Sequence, residues 1–332
     1  MTPQGGDAKV PRMSHEPRNR PPEEGATHWR YTLGGQPNDV ARLAPGLHIV
    51  ATPIGNLGDV TLRSLEALAG ADLIACEDTR VTRKLLDRYA IARPLTPYHE
   101  HNAAQARPML LRRLAEGAAI ALVSDAGTPL ISDPGYKLVR AAQDAGHVVT
   151  TLPGASAVMA ALTVAGLPTD QFLFAGFLPP KETARRARIA ELARIPATLV
   201  LFESGPRLGA ALADLAAGLG GQREVALCRE LTKLHEEIRR SDLAALADAY
   251  ADNSPRGEIV LVIAPPQALQ RVSAAETETL LRQALRRVSL KDAVGEVADA
   301  TGLPRREVYQ RALALAKETL KDTTEGKHGA PR

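Results

Sequence analysis

Residues 120–135 read IALVSDAGTPLISDPG, and this stretch decides the fold class. A short apolar run, 120–123, stops at Ser124, Asp125, Ala126, Gly127, Thr128 and Pro129. A second cluster, Ser132, Asp133, Pro134 and Gly135, follows before a helix-like stretch opens near Tyr136. A strand that ends in a Gly/Ser/Asp/Thr loop ahead of a helix is where α/β proteins hold ligands. Glycine lets the backbone approach closely, which frees N–H and C=O groups for binding.

Outward from this segment the chain alternates strand-like and helix-like runs. Strands are expected at 47–51, 72–76, 120–123 and 148–152, and helices at 61–68, 81–89, 103–115 and 136–144. This rhythm predicts a mostly parallel, helix-covered sheet over residues 46–153. Pro153, Gly154, Ala155 and Ser156 then open a helix at 157–164. Strands at 172–177, 198–202, 225–230 and 258–264, with helices at 182–194 and 208–219, predict a second α/β domain over 154–266.

Residues 274–322 read as purely helical, broken at Gly302, Leu303 and Pro304 and resumed at Arg305. Helix, short turn, helix with arginines at its start fits a helix-turn-helix, and it fits a plain helical bundle equally well. Residues 1–45 are polar and rich in Pro, Gly, Arg and Glu, so they are expected to be a disordered extension, and 323–332 a frayed tail.

Composition narrows the class. A chain of 332 residues holds two or three domains. Aromatics are only 3%, so the cores must be aliphatic, and base-stacking platforms for single-stranded RNA are disfavoured. A net charge of +3 does not by itself point to nucleic acid. Cys76 and Cys228 have no metal-ligand spacing and read as buried, reduced thiols of a cytoplasmic protein. No apolar run approaches the ~18–20 residues that cross a bilayer, and the N-terminus has no signal-peptide core, so no membrane partner is expected.

Further polar clusters close the other strands. The first exits into Thr52-Pro53-Ile54-Gly55-Asn56, which is either a ligand loop or a structural βα turn. Cys76-Glu77-Asp78-Thr79-Arg80 ends the second strand, as a cleft wall or as a helix cap. Tyr98-His99-Glu100-His101-Asn102 lacks a third metal ligand, so no metal is expected, and Asn102 suits an N-cap. Glu203-Ser204-Gly205-Pro206-Arg207 and Arg229-Glu230-Leu231-Thr232-Lys233 close later strands. Lys181, Arg185, Arg186, Arg188 and Arg194 form a basic segment, either an RNA-phosphate surface or a solvated helix face.

Taken together, IVATPIGNLGD, CEDTR, YHEHN, PGAS, GFLPPK, FES and RELTKLHE resemble the tetrapyrrole methylase superfamily. Within it the chain is similar to the members that methylate the 2′-oxygen of a cytidine in bacterial 16S ribosomal RNA. The resemblance covers 46–266, and the helical region resembles the C-terminal module of those members. It implies two α/β domains with an S-adenosylmethionine cleft between them, a small C-terminal helical domain, and a homodimer. It implies a 16S rRNA substrate within the small ribosomal subunit. Carried over residue by residue, the cofactor contacts fall on Pro53, Gly127, Thr128, Leu130, Ile131, Ala155, Ser156, Phe202 and Gly257. Where such members usually continue Phe-Glu-Ser with Pro-His-Arg, this chain has Gly205-Pro206-Arg207, so the arginine is kept and the histidine is absent.

A ribose hydroxyl is a poor nucleophile and needs a base or a strong local field. Glu77 or Asp78 is the expected base, with Glu203 as competitor and Arg80 as a contact to phosphate or base. Lys181, Arg185, Arg186 and Arg207 are the expected RNA contacts. Competing readings are methylation of a tetrapyrrole and a non-enzymatic regulator that uses only the C-terminal helices.

Overall fold

The structure is a computed structural model that describes residues 29–266, 274–301, 303 and 305–325; the side chains of 274–276, 299 and 316–325 are not described. A hairpin of β1 (Arg30–Leu33) and β2 (Gln36–Asp39) leads into β3 (Gly46–Val50) and α1 (Leu62–Gly70). There follow β4 (Leu73–Cys76), α2 (Thr79–Arg88), β5 (Leu95–Pro97) and α3 (Ala103–Ala115). β6 (Ala119–Val123), α4 (Tyr136–Asp144) and β7 (Val149–Leu152) complete the first domain.

β3 to β7 form one sheet in the order β5-β4-β6-β3-β7, and every pairing in it is parallel. The central strands GLHIV and AIALV are buried at every position. Two covered faces explain why they read as unbroken apolar runs rather than alternating ones. Because the strands are parallel, their C-terminal ends, and the loops that follow β3, β4 and β6, share one edge.

The second domain holds α5 (Ala157–Ala165), β8 (Phe172–Phe177), α6 (Glu182–Leu192), β9 (Thr198–Ser204) and α7 (Gly205–Leu219). It continues with β10 (Glu224–Arg229), β11 (Glu237–Asp242), α8 (Leu243–Ala249) and β12 (Glu258–Ile263). Its sheet runs β11-β10-β12-β9-β8, parallel between β8 and β9 and antiparallel elsewhere. α9 (Ala274–Leu285), α10 (Leu290–Thr301) and α11 (Arg305–Glu325) make a helical unit around Leu281, Val294, Val297, Val308 and Ala312. The fold is thus two α/β domains followed by a small all-helical one.

Order begins earlier than Gly46. Residues 29–45, expected to be part of a disordered extension, are tied to the first domain. Tyr31 is buried in its core, Arg42 binds Asp72 bidentately, and Trp29 lies under the Arg93 guanidinium. Gly34 and Gly35, both at positive φ, supply the turn of the hairpin. His48, buried in β3, closes the connection by bonding the Ala44 carbonyl and the Thr150 hydroxyl. The expected disorder of 1–28 and fraying of 326–332 lie outside the described residues.

A second correction concerns the basic segment. Arg185, expected to contact RNA, is buried and bound through Nε to Asp214 Oδ2 at 2.7 Å. Arg186 takes the other oxygen of Asp214 at 2.7 Å and also reaches Glu182. These bonds pin α6 to α7. Arg185 therefore serves the core, and Arg186 has most of its charge spoken for. Asp214→Asn leaves a buried guanidinium without its anion and should cost about 3–5 kcal/mol of unfolding free energy. Urea denaturation of the variant checks this.

Candidate active site

The loops at the C-terminal edge of the first sheet meet the second sheet across a cleft of about 410 Å3. Two exchanged backbone hydrogen bonds position the first wall: Thr52 N–H to Gly127 O at 2.9 Å and Gly127 N–H to Thr52 O at 3.0 Å. The Thr52 hydroxyl adds a bond to Ser124 O. Gly127 sits at φ +79°, and a Cβ there would press on Ile54. The Thr128 hydroxyl reaches Ala155 O at 3.2 Å, joining this loop to the one that opens α5. Ile54 in turn packs into the core of the second domain, and Asn56 N–H donates to the Thr232 hydroxyl at 3.2 Å. The two domains are thus clamped beside the cleft.

The opposite wall comes from strand register. β9 and β12 are antiparallel, so Phe202, Glu203 and Ser204 lie opposite Val260, Ile259 and Glu258. Phe202 packs edge-to-face with Phe174 and Phe177. Leu231 and Val260 extend this apolar surface into the cleft. Gly257 closes its end at φ +106°, where a Cβ would stand 2.5 Å from Glu230 Oε1.

The two walls differ in chemistry. The first is acidic, with Glu77, Asp125 and Asp133 all lining the cleft. Burial, reinforced by Asp125, raises the Glu77 pKa. Burial also raises Asp125, and burial plus the Glu77 charge lifts Asp133 to about 6. On the second wall Glu203 is 3% exposed. Its Oε1 accepts the Ser204 N–H and meets Arg207, whereas Oε2 is buried with no partner. Glu203 follows Leu201 in the strand alternation, so its carboxyl is on the α7 side of the sheet, away from Phe202 and Val260. The buried Cys228 thiol also lines the cleft, and burial pushes it up to about 11, so it is inert.

Of the residues expected to act, Glu77 lines the cleft, Glu203 meets its edge while its carboxyl turns to the α7 side of the second sheet, and Asp78 and Arg80 do not line it. Asp78 caps α2 through the Arg80 N–H and is chelated by the Arg80 guanidinium, whose hydrogen bonds hold its carboxyl at about 2. Asp78 is therefore a cap with a spent charge, a poor base. Of the expected cofactor contacts, Gly127, Thr128, Ile131, Ser156, Phe202 and Gly257 line the cleft. Pro53 is buried and does not line the cleft, Leu130 packs on the first domain's core, and Ala155 offers its carbonyl to Thr128. Among the expected RNA contacts, Lys181 is exposed at the start of α6, and Arg207 bonds the Leu178 carbonyl and Glu203. Asn102 does not cap α3 by a side-chain bond; it braces its own turn through His99 N–H and Pro97 O. Asp125 and Asp133 stand in the opening stretch of sequence, but nothing in sequence alone marks them as desolvated.

Comparison with known proteins now decides the family. The model for "Tetrapyrrole (Corrin/Porphyrin) Methylases" matches residues 46–247, more than half of the chain. The chain belongs to the tetrapyrrole methylase family. The model for the "RsmI C-terminal HTH domain" matches 271–316. A Mesorhizobium japonicum protein named ribosomal RNA small subunit methyltransferase I is 51% identical over 85% of this chain and 96% of its own. An Erythrobacter litoralis protein of the same name is 53% identical over 82% of this chain and 96% of its own. Among solved structures, diphthine synthase superposes with a TM-score of 0.52 at 16% identity, over 66% of this chain and 89% of its own. The methyltransferase CobJ does so with a TM-score of 0.52 at 21%, over 69% and 98%. At these identities the structures support the fold alone.

Tetrapyrrole methylases use S-adenosylmethionine, and this cleft fits it. Acidic residues face one side, suited to a sulfonium and an ammonium. Aromatic and aliphatic side chains face the other, suited to an adenine ring, and the volume lies in the range of ligand pockets. Among the described residues no cluster of three metal-binding side chains occurs, and no helix is long and apolar enough to cross a membrane. Phe202→Ala should weaken S-adenosylmethionine binding about tenfold, roughly 1.4 kcal/mol of lost apolar contact. Asp78→Asn, outside the cleft, should leave it unchanged. Isothermal titration calorimetry on both variants tests the assignment of the walls.

Proposed function

We propose that the protein methylates the 2′-oxygen of a cytidine in bacterial 16S ribosomal RNA, within the small ribosomal subunit in the cytoplasm, as a homodimer. The observation that carries this reading is the similarity to the small-subunit rRNA methyltransferases, which spans both α/β domains and reaches the helical region. The helical region is what a small-molecule methylase has no need of. A folded RNA surface is the favoured substrate, because aromatics are too few for stacking platforms.

When bound, S-adenosylmethionine supplies an electrophilic methyl carbon on a positively charged sulfur. The chain's residues supply placement and field. Gly127, Thr128 and Ser156 offer a close-fitting rim, fixed by the Thr52 and Ala155 bonds. Phe202, Leu231 and Val260 exclude water from one side. The carboxylates of the first wall stabilise positive charge and can receive a proton. Lys181, at the exposed start of α6, is the residue through which an RNA phosphate is engaged, and Arg207 pairs with Glu203.

The experiment is transfer of labelled methyl from S-adenosylmethionine to small subunits from a strain lacking this activity, beside naked 16S rRNA, followed by nucleoside analysis. Label in 2′-O-methylcytidine on subunits is the expected result. Absence of label from both substrates, with cofactor binding intact, overturns the reading in favour of a tetrapyrrole substrate. Sedimentation of the same preparation measures the dimer.

A further inference from the structure

Four carboxylate residues besides Asp133 are at the cleft, Asp78 lies just outside it, and their bonding separates them. Asp78 is neutralised by Arg80, and Asp125 Oδ1 accepts the Asp78 N–H at 2.9 Å. Glu203 Oε1 is taken by Ser204 and Arg207. Glu258 is paired with Lys233 at 2.9 Å. Glu77, close to the Asp125 backbone and to His99, faces Asp133. Asp133 itself has the Ser124 hydroxyl for support, and the charges acting on it, Glu77 and Asp125, are both negative.

The backbone that carries Asp133 is unusual. Leu130 at φ 75° and Ser132 at φ 63° both occupy the left-handed region, where side chains other than those of Gly, Asn and Asp are disfavoured. Strain of this kind persists where the surroundings over-determine it, and it concentrates at functional sites. Here it brings Ser132 against Gly176 of β8 and presents Asp133 to the cleft between the sheets. Across the cleft, Phe202, Leu231 and Val260 face the same space, so it is enclosed by both domains.

We propose that Asp133 is the base that takes the proton from the acceptor hydroxyl, with Glu77 tuning it from the neighbouring strand end. The proposal rests on the reading that this cleft methylates a hydroxyl. In the step, a lone pair of the acceptor oxygen forms the bond to the methyl carbon. The carbon–sulfur electron pair leaves with the sulfur, which becomes neutral, and the O–H pair stays on oxygen. The proton passes to an Asp133 carboxylate oxygen and from there to solvent.

The facing groups are consistent with that role. Burial and Glu77 set the Asp133 carboxyl at about 6, so it is ionised at neutral pH and far more basic than Asp78 at about 2. Its folded pKa lies above the unfolded value, so ionisation weakens the fold as pH rises through about 6. Asp133→Asn removes that penalty, and its melting temperature at pH 8 should equal or exceed that of the wild type.

The test is single-turnover transfer to small subunits as a function of pH, with calorimetric binding of S-adenosylmethionine alongside. The wild-type rate should rise through about pH 6 and level off. Asp133→Asn should lose about 100-fold or more at saturating donor and lose the acidic limb, while donor affinity, still served by Glu77 and Asp125, falls by no more than about tenfold, and Asp133→Glu should recover part of the rate. Glu77→Gln should move the acidic limb to lower pH, because a neighbouring negative charge is gone. A D133N enzyme that keeps the rate and the limb overturns the proposal, as does a loss of rate explained by lost donor binding. Wild-type enzyme that binds donor and labels no subunit overturns the functional reading itself, a result distinct from a fully active D133N.

Discussion

Two hydrogen bonds exchanged between Thr52 and Gly127 fix the edge on which everything else is built. β3 and β6 are neighbours in a parallel sheet, so their C-terminal loops emerge side by side, and this bridge locks them together. From it the Thr128 hydroxyl reaches Ala155, Ile54 enters the core of the second domain, and the 127–135 loop is held against β8. The cleft is the space left when these attachments are made. Gly127 occupies the one position where the backbone must turn left-handed with Ile54 pressed against it.

That geometry determines the electrostatics. Parallel strands deliver the polar ends of β4 and β6 to a place covered by a second sheet, so Glu77, Asp125 and Asp133 are partly desolvated and repel one another. The cost is met by a positively charged ligand or by taking up protons. Asp78, one residue beyond Glu77, escapes the problem because Arg80 neutralises it. Neighbouring acidic residues of one motif therefore have opposite fates, one a helix cap and one a cleft wall.

Much of the architecture was legible in the sequence. The stretch AIALV followed by SDAGTP announces a central parallel strand and its loop, because burial on both faces forces an unbroken apolar run. The edge strand β11, EIRRSD, carries exposed charges and has no such signature. The β1–β2 hairpin has a Gly34-Gly35 turn, but the flanking Pro and Arg content reads as disorder and hides it. Candidate site residues at strand ends were identifiable, but burial and pairing were not. Arg185 meets Asp214 from a different helix, and Asp133 gains its character from Glu77 on another strand. Long-range partners of this kind leave no trace in local spacing.

The central claim is that the acidic loops of the first sheet and the apolar ends of the second form a single cofactor site. Amide hydrogen exchange with and without S-adenosylmethionine tests it most directly. Added protection is expected on both walls together, at 124–133 and 154–158 on one side and 202–204 and 257–260 on the other. Protection confined to one wall, or found only in the C-terminal helices, would contradict it.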